Sequence, residues 1–355
     1  MKTPLRILGM LGATLLLASH TFAQAPKKPK IVILATGGTI AGAALSPTDP
    51  GYQSGAVGVD ILIKAVPDLK KIADVTGEQI ASIGSQDMND EVWLKLAKRA
   101  NELLAKPDVD GIAITHGTDT LEETSYFLQL VVKSDKPVVM TGSMRPSTAM
   151  SADGPLNIYN AVAIAADPKA RGRGVLVAVD DDIHSAHDIV KTHTTDVATF
   201  SSGEAGLVGV ALFGANIWYR TPAAVHTKAS ELGVGDAKSL PRVDIIYAHA
   251  NMSPDLITAA AQNGAKGIVI AGVGDGNMTA PALEAVKKVI KQGVVVVRSS
   301  RTNGGIIRRN IEINDDQIGT VASMELNPGK ARALLQLALL KSTDAKKIQD
   351  YFDRY

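Results

Sequence analysis

Short apolar runs rich in β-branched residues recur along the chain, each followed by Gly, Thr or Asp and then by residues spaced as on a helix. In the first half they are Ile31–Ala35, Gln79–Ile83, Gly111–Thr115, Pro137–Thr141 and Gly174–Val179. Runs that are apolar throughout fit strands buried on both faces, as in a parallel sheet covered by helices. Between them, Asp90–Leu104 and Thr120–Val132 carry apolar residues at helical spacing, and Thr120-Leu121-Glu122-Glu123 reads as a capping box. Leu207–Tyr219 instead alternates around Gly214-Ala215-Asn216, as a hairpin does.

The pattern lapses between Thr221 and Pro241, a stretch with no periodicity that reads as a surface linker. Strand and helix signals resume with Val243–Tyr247, Gly267–Ala271 and Gly293–Arg298, and end with the helical stretch Pro328–Leu340. The expected fold is α/β: a larger N-terminal domain (26–219) with a mostly parallel sheet, flanking helices and a hairpin, a linker (220–241), and a smaller C-terminal α/β domain (242–355). No internal repeat interrupts this reading.

The first residues follow a different logic. Lys2 and Arg6 precede an apolar run, Ile7–Ala18, and Ala23-Gln24-Ala25 supplies a small-x-small cleavage pattern. The run is too short to span a bilayer, so residues 1–25 read as a signal peptide and the periplasm as the destination, with secretion to the medium as the alternative. No later segment is apolar enough for a transmembrane helix, so no membrane association is expected once the leader is cut.

Charge and composition then narrow the chemistry. Lys and Arg number 37 against 36 Asp and Glu, leaving no net field for nucleic acid or an anionic membrane. Cysteine is absent, which excludes disulfides, thiol catalysis and zinc–cysteine sites. Any nucleophile must be oxygen or nitrogen.

In an open parallel sheet the loops after the strands line the ligand crevice. Thr36-Gly37-Gly38-Thr39-Ile40-Ala41-Gly42 follows the first strand and lacks both a dinucleotide fingerprint and a phosphate loop. It offers Thr39 between glycines, either as a reactive hydroxyl or as a helix cap. Ser85-Gln86-Asp87 follows the second strand, and His116-Gly117-Thr118-Asp119-Thr120 the third, where Asp119 or Thr120 could equally cap a helix. Together these groups suit a small zwitterionic or amide substrate. Gly272–Asn277 imitates a dinucleotide loop but ends in Asn277, and Asp180-Asp181-Asp182 with His184 and His187 is a metal candidate or a solvated loop. Lys191 is a surface charge or, if desolvated beside Thr118 and Asp119, a general base.

The strings LATGGTIAG (Leu34–Gly42), ITHGTDTLEETSYF (Ile114–Phe127), GSMRPSTAMSADGP (Gly142–Pro155), KTHTTDVATF (Lys191–Phe200) and VVRSSR (Val296–Arg301) closely resemble those of the bacterial type II, exported L-asparaginases and related glutaminase-asparaginases. The likeness runs from about Lys30 to Tyr355. It implies hydrolysis of L-asparagine, with L-glutamine slower, by a homotetramer that needs no cofactor and no metal. It further implies Thr39 as nucleophile, Tyr52 in the loop Ala43–Gly58 as its activating partner, and a second group of Thr118, Lys191 and Asp119. Ser85 and Gln86 would bind the substrate's carboxylate and amino ends, and Asn277 and Glu312 would complete a neighbouring subunit's site. Amides of Gly38, Thr39 and Thr118 would be the oxyanion donors. Asn310–Asn314 alternates, which suits an exposed strand edge around Glu312. Departures from the family pattern are Ser134 where some members have a cysteine, Ser143 where others have alanine, and Pro47-Thr48-Asp49-Pro50 in the loop that carries Tyr52. A periplasmic amino-acid-binding protein is the rival that fits the same fold pattern.

Overall fold

The computed structural model describes residues 27–49 and 51–355, so the expected leader and Pro50 lie outside the described residues. The first half builds β1 (Lys30–Gly37), a two-residue pair β2 (Ala43–Ala44) and β3 (Tyr52–Gln53), then β4 (Asp74–Ile83), β5 (Gly111–Thr115), β6 (Val138–Thr141) and β7 (Val175–Val179). There follow β8 (Asp182–Ser185), a second short pair β9 (Val190–Lys191) and β10 (Phe200–Ser201), and the hairpin β11 (Gly209–Leu212) and β12 (Ala215–Trp218). Helices α1 (Val59–Ala65), α2 (Leu69–Ile72), α3 (Asp90–Leu104), α4 (Leu121–Val131) and α5 (Gly154–Ala166) connect them.

The large sheet has the order β12-β11-β8-β7-β6-β5-β1-β4. β4, β1, β5, β6 and β7 run parallel, and β8, β11 and β12 add an antiparallel flank. The chain leaves β1 for β4 on one side and then returns to β5 on the other. That reversal opens a crevice beyond the carboxyl ends of β1 and β5, the place where doubly wound sheets bind ligands.

Alternate residues of β1 explain why the strand is apolar throughout. Val32 and Leu34 pack with Trp93 and Leu96 of α3 and Phe127 of α4, while Ile31 and Ile33 pack with Leu62 of α1 and Ile158 of α5.

The smaller domain contains β13 (Val243–Tyr247), α6 (Asp255–Gln262), β14 (Gly267–Gly272), α7 (Ala280–Lys291), β15 (Val295–Ser300), α8 (Asp315–Ile318), β16 (Val321–Ala322), α9 (Pro328–Leu339) and α10 (Ala345–Phe352). Its four strands are parallel in the order β13-β14-β15-β16. Residues 220–241 link the two sheets and hold one 3-10 turn, Thr227–Ala229. Helix α9 lies between the small sheet and α4, so Leu334 and Leu337 share one apolar core with Phe127 and Val269. The domains are therefore joined through a common core as well as by the linker.

The structure corrects several local expectations. Thr120 makes no capping bond at the start of α4, because its hydroxyl donates instead to Ser85 O at 2.8 Å. The stretch read as a solvated loop at Asp180–Asp182 is a tight hairpin: Val179 pairs with Asp182, and Asp180 and Asp181 take φ of 51° and 64°. Two positive φ values make a two-residue turn of the primed kind, and aspartate tolerates them better than bulky residues do. The second hairpin turns at Phe213-Gly214, one step before the expected position. The Asn160 side chain secures both turns, donating to Asp181 Oδ1 at 3.0 Å and accepting from Gly214 N at 3.0 Å. Finally, 310–314 is not a strand. Asn310 has φ 58° and Asn314 caps α8 by accepting from Gln317 N, so turn and cap chemistry override the alternation.

Candidate active site

The exits of β1, β4 and β5 meet backbone to backbone. Gly38, with φ 80°, lies so near the next loop that an added Cβ would stand 2.3 Å from Gly117 N and Cα. A Cβ on Gly117 would in turn stand 2.5 Å from Ser85 Oγ. Glycine is required at both positions for the threonine loops to touch.

This contact sets two hydroxyls side by side in the crevice. Thr39 opens a 3-10 turn, Thr39–Ala41, and is buried, with its Oγ1 2.7 Å from Tyr52 Oη. Tyr52 stands on β3, paired with Ala44 of β2, and is 41% exposed, so the site is open on this side. Thr118 opens a second 3-10 turn and is also buried. Its Oγ1 accepts from Lys191 Nζ at 2.9 Å, and the same ammonium donates to Asp119 Oδ1 at 2.7 Å. Lys191 is mostly covered while the Asp119 side chain is 60% exposed, which leaves a carboxylate oxygen facing solvent.

Ser85 joins this group. Its Oγ accepts from Asp119 N at 3.2 Å and, among the described residues, donates to no acceptor. Gln86 does not join: its side chain folds over Gly84 and donates to Asp87 Oδ2 at 3.3 Å. Asn277 and Glu312 are brought to each other, Asn277 Nδ2 donating to Glu312 Oε2, and their side chains make no hydrogen bond to Thr39, Tyr52, Thr118, Lys191 or Asp119.

The amides divide less simply than expected. Gly38 N donates to Ile83 O at 2.8 Å and so is spent on the fold, which corrects its assignment as an oxyanion donor. Among the described residues the Thr39 and Thr118 amides have no acceptor, and they remain the pair able to stabilise an oxyanion.

Beside Thr118, His116 is fully buried, and its Nδ1 donates to Gly117 O at 2.7 Å. Desolvation lowers its pKa to about 4, against the pull of that carbonyl, so the ring is neutral. The histidines of the metal candidate are engaged elsewhere: His184 Nδ1 with Ser202 Oγ at 2.8 Å and His187 Nδ1 with Asp188 Oδ1 at 2.7 Å. Among the described residues no cluster of three or more His, Asp or Glu side chains could hold a metal ion. Two cavities of about 360 and 400 Å³ flank His187 and Asp188, and neither is lined by Thr39, Tyr52, Thr118 or Asp119. The threonine site is a surface crevice, defined by its chemistry and its place in the sheet.

Sequence reasoning passed over two residues next to this site. Glu122 lay inside the capping-box string with no role of its own, yet its Oε2 accepts from Lys191 N at 2.7 Å. Lys330, on α9, is 2% exposed and donates to two main-chain oxygens just before Lys191. A lysine in an apolar helix stretch was the available signal.

Residues 30–225 match the model of the asparaginase N-terminal domain, and residues 242–352 that of the glutaminase/asparaginase C-terminal domain. The chain belongs to the asparaginase family. It is 51% identical to a protein of Haemophilus influenzae named probable periplasmic L-asparaginase, over 94% of this chain and 95% of that one. To the glutaminase-asparaginase of Pseudomonas fluorescens it is 48% identical, over 93% of this chain and 91% of that one. A crystal structure of a probable cytoplasmic L-asparaginase from Campylobacter jejuni superposes with a TM-score of 0.90 at 48% identity, covering 92% of this chain and all of the other. Asparaginase membership thus spans both domains and sets aside the binding-protein rival.

Proposed function

We propose that the chain is an exported L-asparaginase that hydrolyses L-asparagine to L-aspartate and ammonia through a threonine nucleophile, with L-glutamine a slower substrate. The observation that carries this reading is the meeting of two activated hydroxyls at the sheet's switch point, Thr39 with Tyr52 and Thr118 with Lys191 and Asp119.

A carboxamide is a poor electrophile, so an enzyme gains by dividing its hydrolysis into acyl transfer and water attack. Thr39 Oγ1 attacks the amide carbon, its proton passing through the Tyr52 hydroxyl to the departing nitrogen, which leaves as ammonia. The Thr39 and Thr118 amides receive the negative charge on the tetrahedral carbon's oxygen. Water then attacks the threonyl ester. Lys191 takes the water's proton by way of the Thr118 hydroxyl and returns it by the same route to Thr39 as the acid is released. Asp119, with an oxygen open to solvent, holds the substrate ammonium, while the Ser85 hydroxyl and Gln86, once its side chain turns from Asp87, serve its carboxylate and amino ends.

Asn277 and Glu312 act in this scheme from a neighbouring subunit of a homotetramer, consistent with their position away from Thr39 in the same chain. One family relative is named periplasmic and one cytoplasmic, so export rests on the leader read in residues 1–25. Ammonia release from L-asparagine by the purified protein, set beside L-glutamine, tests the activity. The N-terminal residue of protein recovered from the periplasmic fraction tests the leader; a start at Met1 in the cytoplasm would overturn it.

A further inference from the structure

We propose that the first turn of α9, in the small domain, braces the catalytic lysine in the large domain, with Glu122 as the connecting piece and Lys330 as its second point of attachment. The inference rests on Lys191 acting as the base of the reading above.

Lys191 needs such support. It lies on β9, two residues paired only with the two of β10, and a ladder that short does not fix a side chain to within a fraction of an ångström. Its main chain is held from outside that ladder. Glu122, in the first turn of α4, accepts from Lys191 N at 2.7 Å through Oε2. Through Oε1 it accepts from Asn327 Nδ2 at 2.8 Å. Asn327 is the N-cap of α9, and its Oδ1 accepts from Lys330 N at 3.0 Å. Lys330 then reaches across the same interface, where Nζ donates to His187 O and to Ile189 O, each at 2.6 Å.

The segment 187–191 is thus attached at three main-chain points, two from Lys330 directly and one from Asn327 through Glu122. Burying an ammonium is costly unless it is well paired. Here Glu122 and Asp188 supply the facing negative charge and the two carbonyls supply acceptors. The proposed reaction uses none of these three side chains, and a leucine at 330 would fill the core with no desolvation cost. What the polar set does is fix where Lys191 Nζ stands relative to Thr118 Oγ1. None of the three touches the reacting atoms; they are positioning residues.

The test compares kcat and KM for L-asparagine in Glu122→Ala, Glu122→Gln, Asn327→Ser, Lys330→Met, Lys191→Met and the double variant Lys191→Met/Glu122→Ala, each checked for a native circular-dichroism spectrum and a melting point above the assay temperature. Asn327→Ser keeps the cap on α9 but cannot reach Glu122, so it removes the brace while sparing the helix. Displacing a catalytic group by about 1 Å can cost roughly 100-fold in rate. The expected result is a fall in kcat of about 10- to 100-fold in Glu122→Ala, Asn327→Ser and Lys330→Met with KM within about twofold of normal, partial rescue in Glu122→Gln, and no further loss when Glu122→Ala is added to Lys191→Met. Should Glu122→Ala fail to fold, Asn327→Ser and Glu122→Gln carry the same comparison.

Normal kcat in folded Asn327→Ser and Glu122→Gln, beside an inactive Lys191→Met, would overturn the brace and leave the function intact. Additive losses in the double variant would also overturn it, by showing that Glu122 acts apart from Lys191. Full activity in Lys191→Met would instead overturn the functional reading, and the brace with it.

Discussion

The two surfaces implicated in substrate binding are built on different plans. The large-domain surface is assembled from three loops that touch through glycine backbone, and its side chains bond to one another: Thr39 to Tyr52, Thr118 to Lys191, Lys191 to Asp119. The small-domain surface is an outward-facing tip on a rigid base. Arg298, fully buried, forms a two-pronged pair with Asp315 at 2.7 and 2.8 Å and donates to Asp275 O at 2.9 Å. Asp315 also accepts from Asn310 N and Thr320 Oγ1, so the loops carrying Asn277 and Glu312 share one anchor. Yet the side chains of Asn277 and Glu312, among the described residues, bond only to each other. One surface holds all of its own chemistry, and the other holds a prepared contact with no partner in its chain.

If this contrast is right, deleting chemistry from the first surface should be far more damaging than trimming the second. Thr39→Ala is expected to leave folding and L-aspartate affinity close to normal while turnover falls by several orders of magnitude. The check is kcat together with calorimetric titration of L-aspartate. Turnover near normal would remove Thr39 from the reaction and with it the ranking of the two surfaces.

Gly38→Ala probes the framework of the same surface. A methyl group 2.3 Å from Gly117 main chain, on a residue with φ 80°, cannot be placed without moving one loop off the other. Loss of both stability and turnover is expected, with a stability cost of about 1–3 kcal/mol read from denaturant unfolding. A variant that keeps normal turnover would show that the loops need not touch.

Glu312→Ala tests the second surface and should act on affinity. A charge-assisted bond to a substrate ammonium is worth about 1.5–3 kcal/mol, so KM should rise roughly 10- to 100-fold with a smaller change in kcat. Mixing subunits of Thr39→Ala with subunits of Glu312→Ala, after dissociation and reassembly, shows where Glu312 acts. Assayed at low asparagine, verified mixed tetramers should recover part of the activity, because some interfaces pair an intact Thr39 with an intact Glu312. No recovery would put Glu312 in its own chain's site or in none.

The same contrast decides what could be read from sequence. The strands of the large sheet announce themselves locally, as apolar β-branched runs closed by Gly or Thr, and the loops that follow them bear Thr39, Ser85 and Thr118. Their convergence follows from parallel topology, which makes the hydroxyls legible as a group. Lys191 is different. Apart from the resemblance carried by KTHTTDVATF, the residues around it leave it open between a surface charge and a base, because what holds it comes from Glu122 on α4 and Asn327 and Lys330 on α9, and long-range bonds leave no local pattern. Glu122 was visible but passed over, since the capping box pairs Thr120 with Glu123 and leaves Glu122 a spacer, while the fold sends the Thr120 hydroxyl to Ser85 O and Glu122 to Lys191 N. Asn310–Asn314 failed for a related reason: two asparagines that favour turns and caps outweighed the alternation of the residues between them.

The smallest expected effect on turnover is none: the last one falls on stability alone, and it separates the buried framework of the first surface from its chemistry. His116 and His184 are both held near a pKa of about 4, chiefly by desolvation, against 6.5 in an unfolded chain. Between those values the unfolded chain binds protons that the folded one does not, so stability is full above about pH 6.5 and declines as the pH falls toward 4. At about 1.4 kcal/mol per pKa unit the loss is on the order of 3 kcal/mol for each fully excluded ring. Carboxylates held low by their partners, such as Asp315 beside Arg298, lose their contribution only at lower pH, below the unfolded value of about 4. His226 is also lowered by burial, and Glu123, Asp180 and Asp182 are raised by it, so the part due to one ring is read from the difference between the native chain and a variant lacking it. Denaturant midpoints measured from about pH 6.5 to 4.5 should fall for the native chain and fall less for His116→Gln, which keeps a donor for Gly117 O but does not titrate. Equal slopes in the two proteins would mean that His116 is protonated in place, with its Nε2 reaching solvent, and that the floor beneath Thr118 is wetter than a fully buried ring allows.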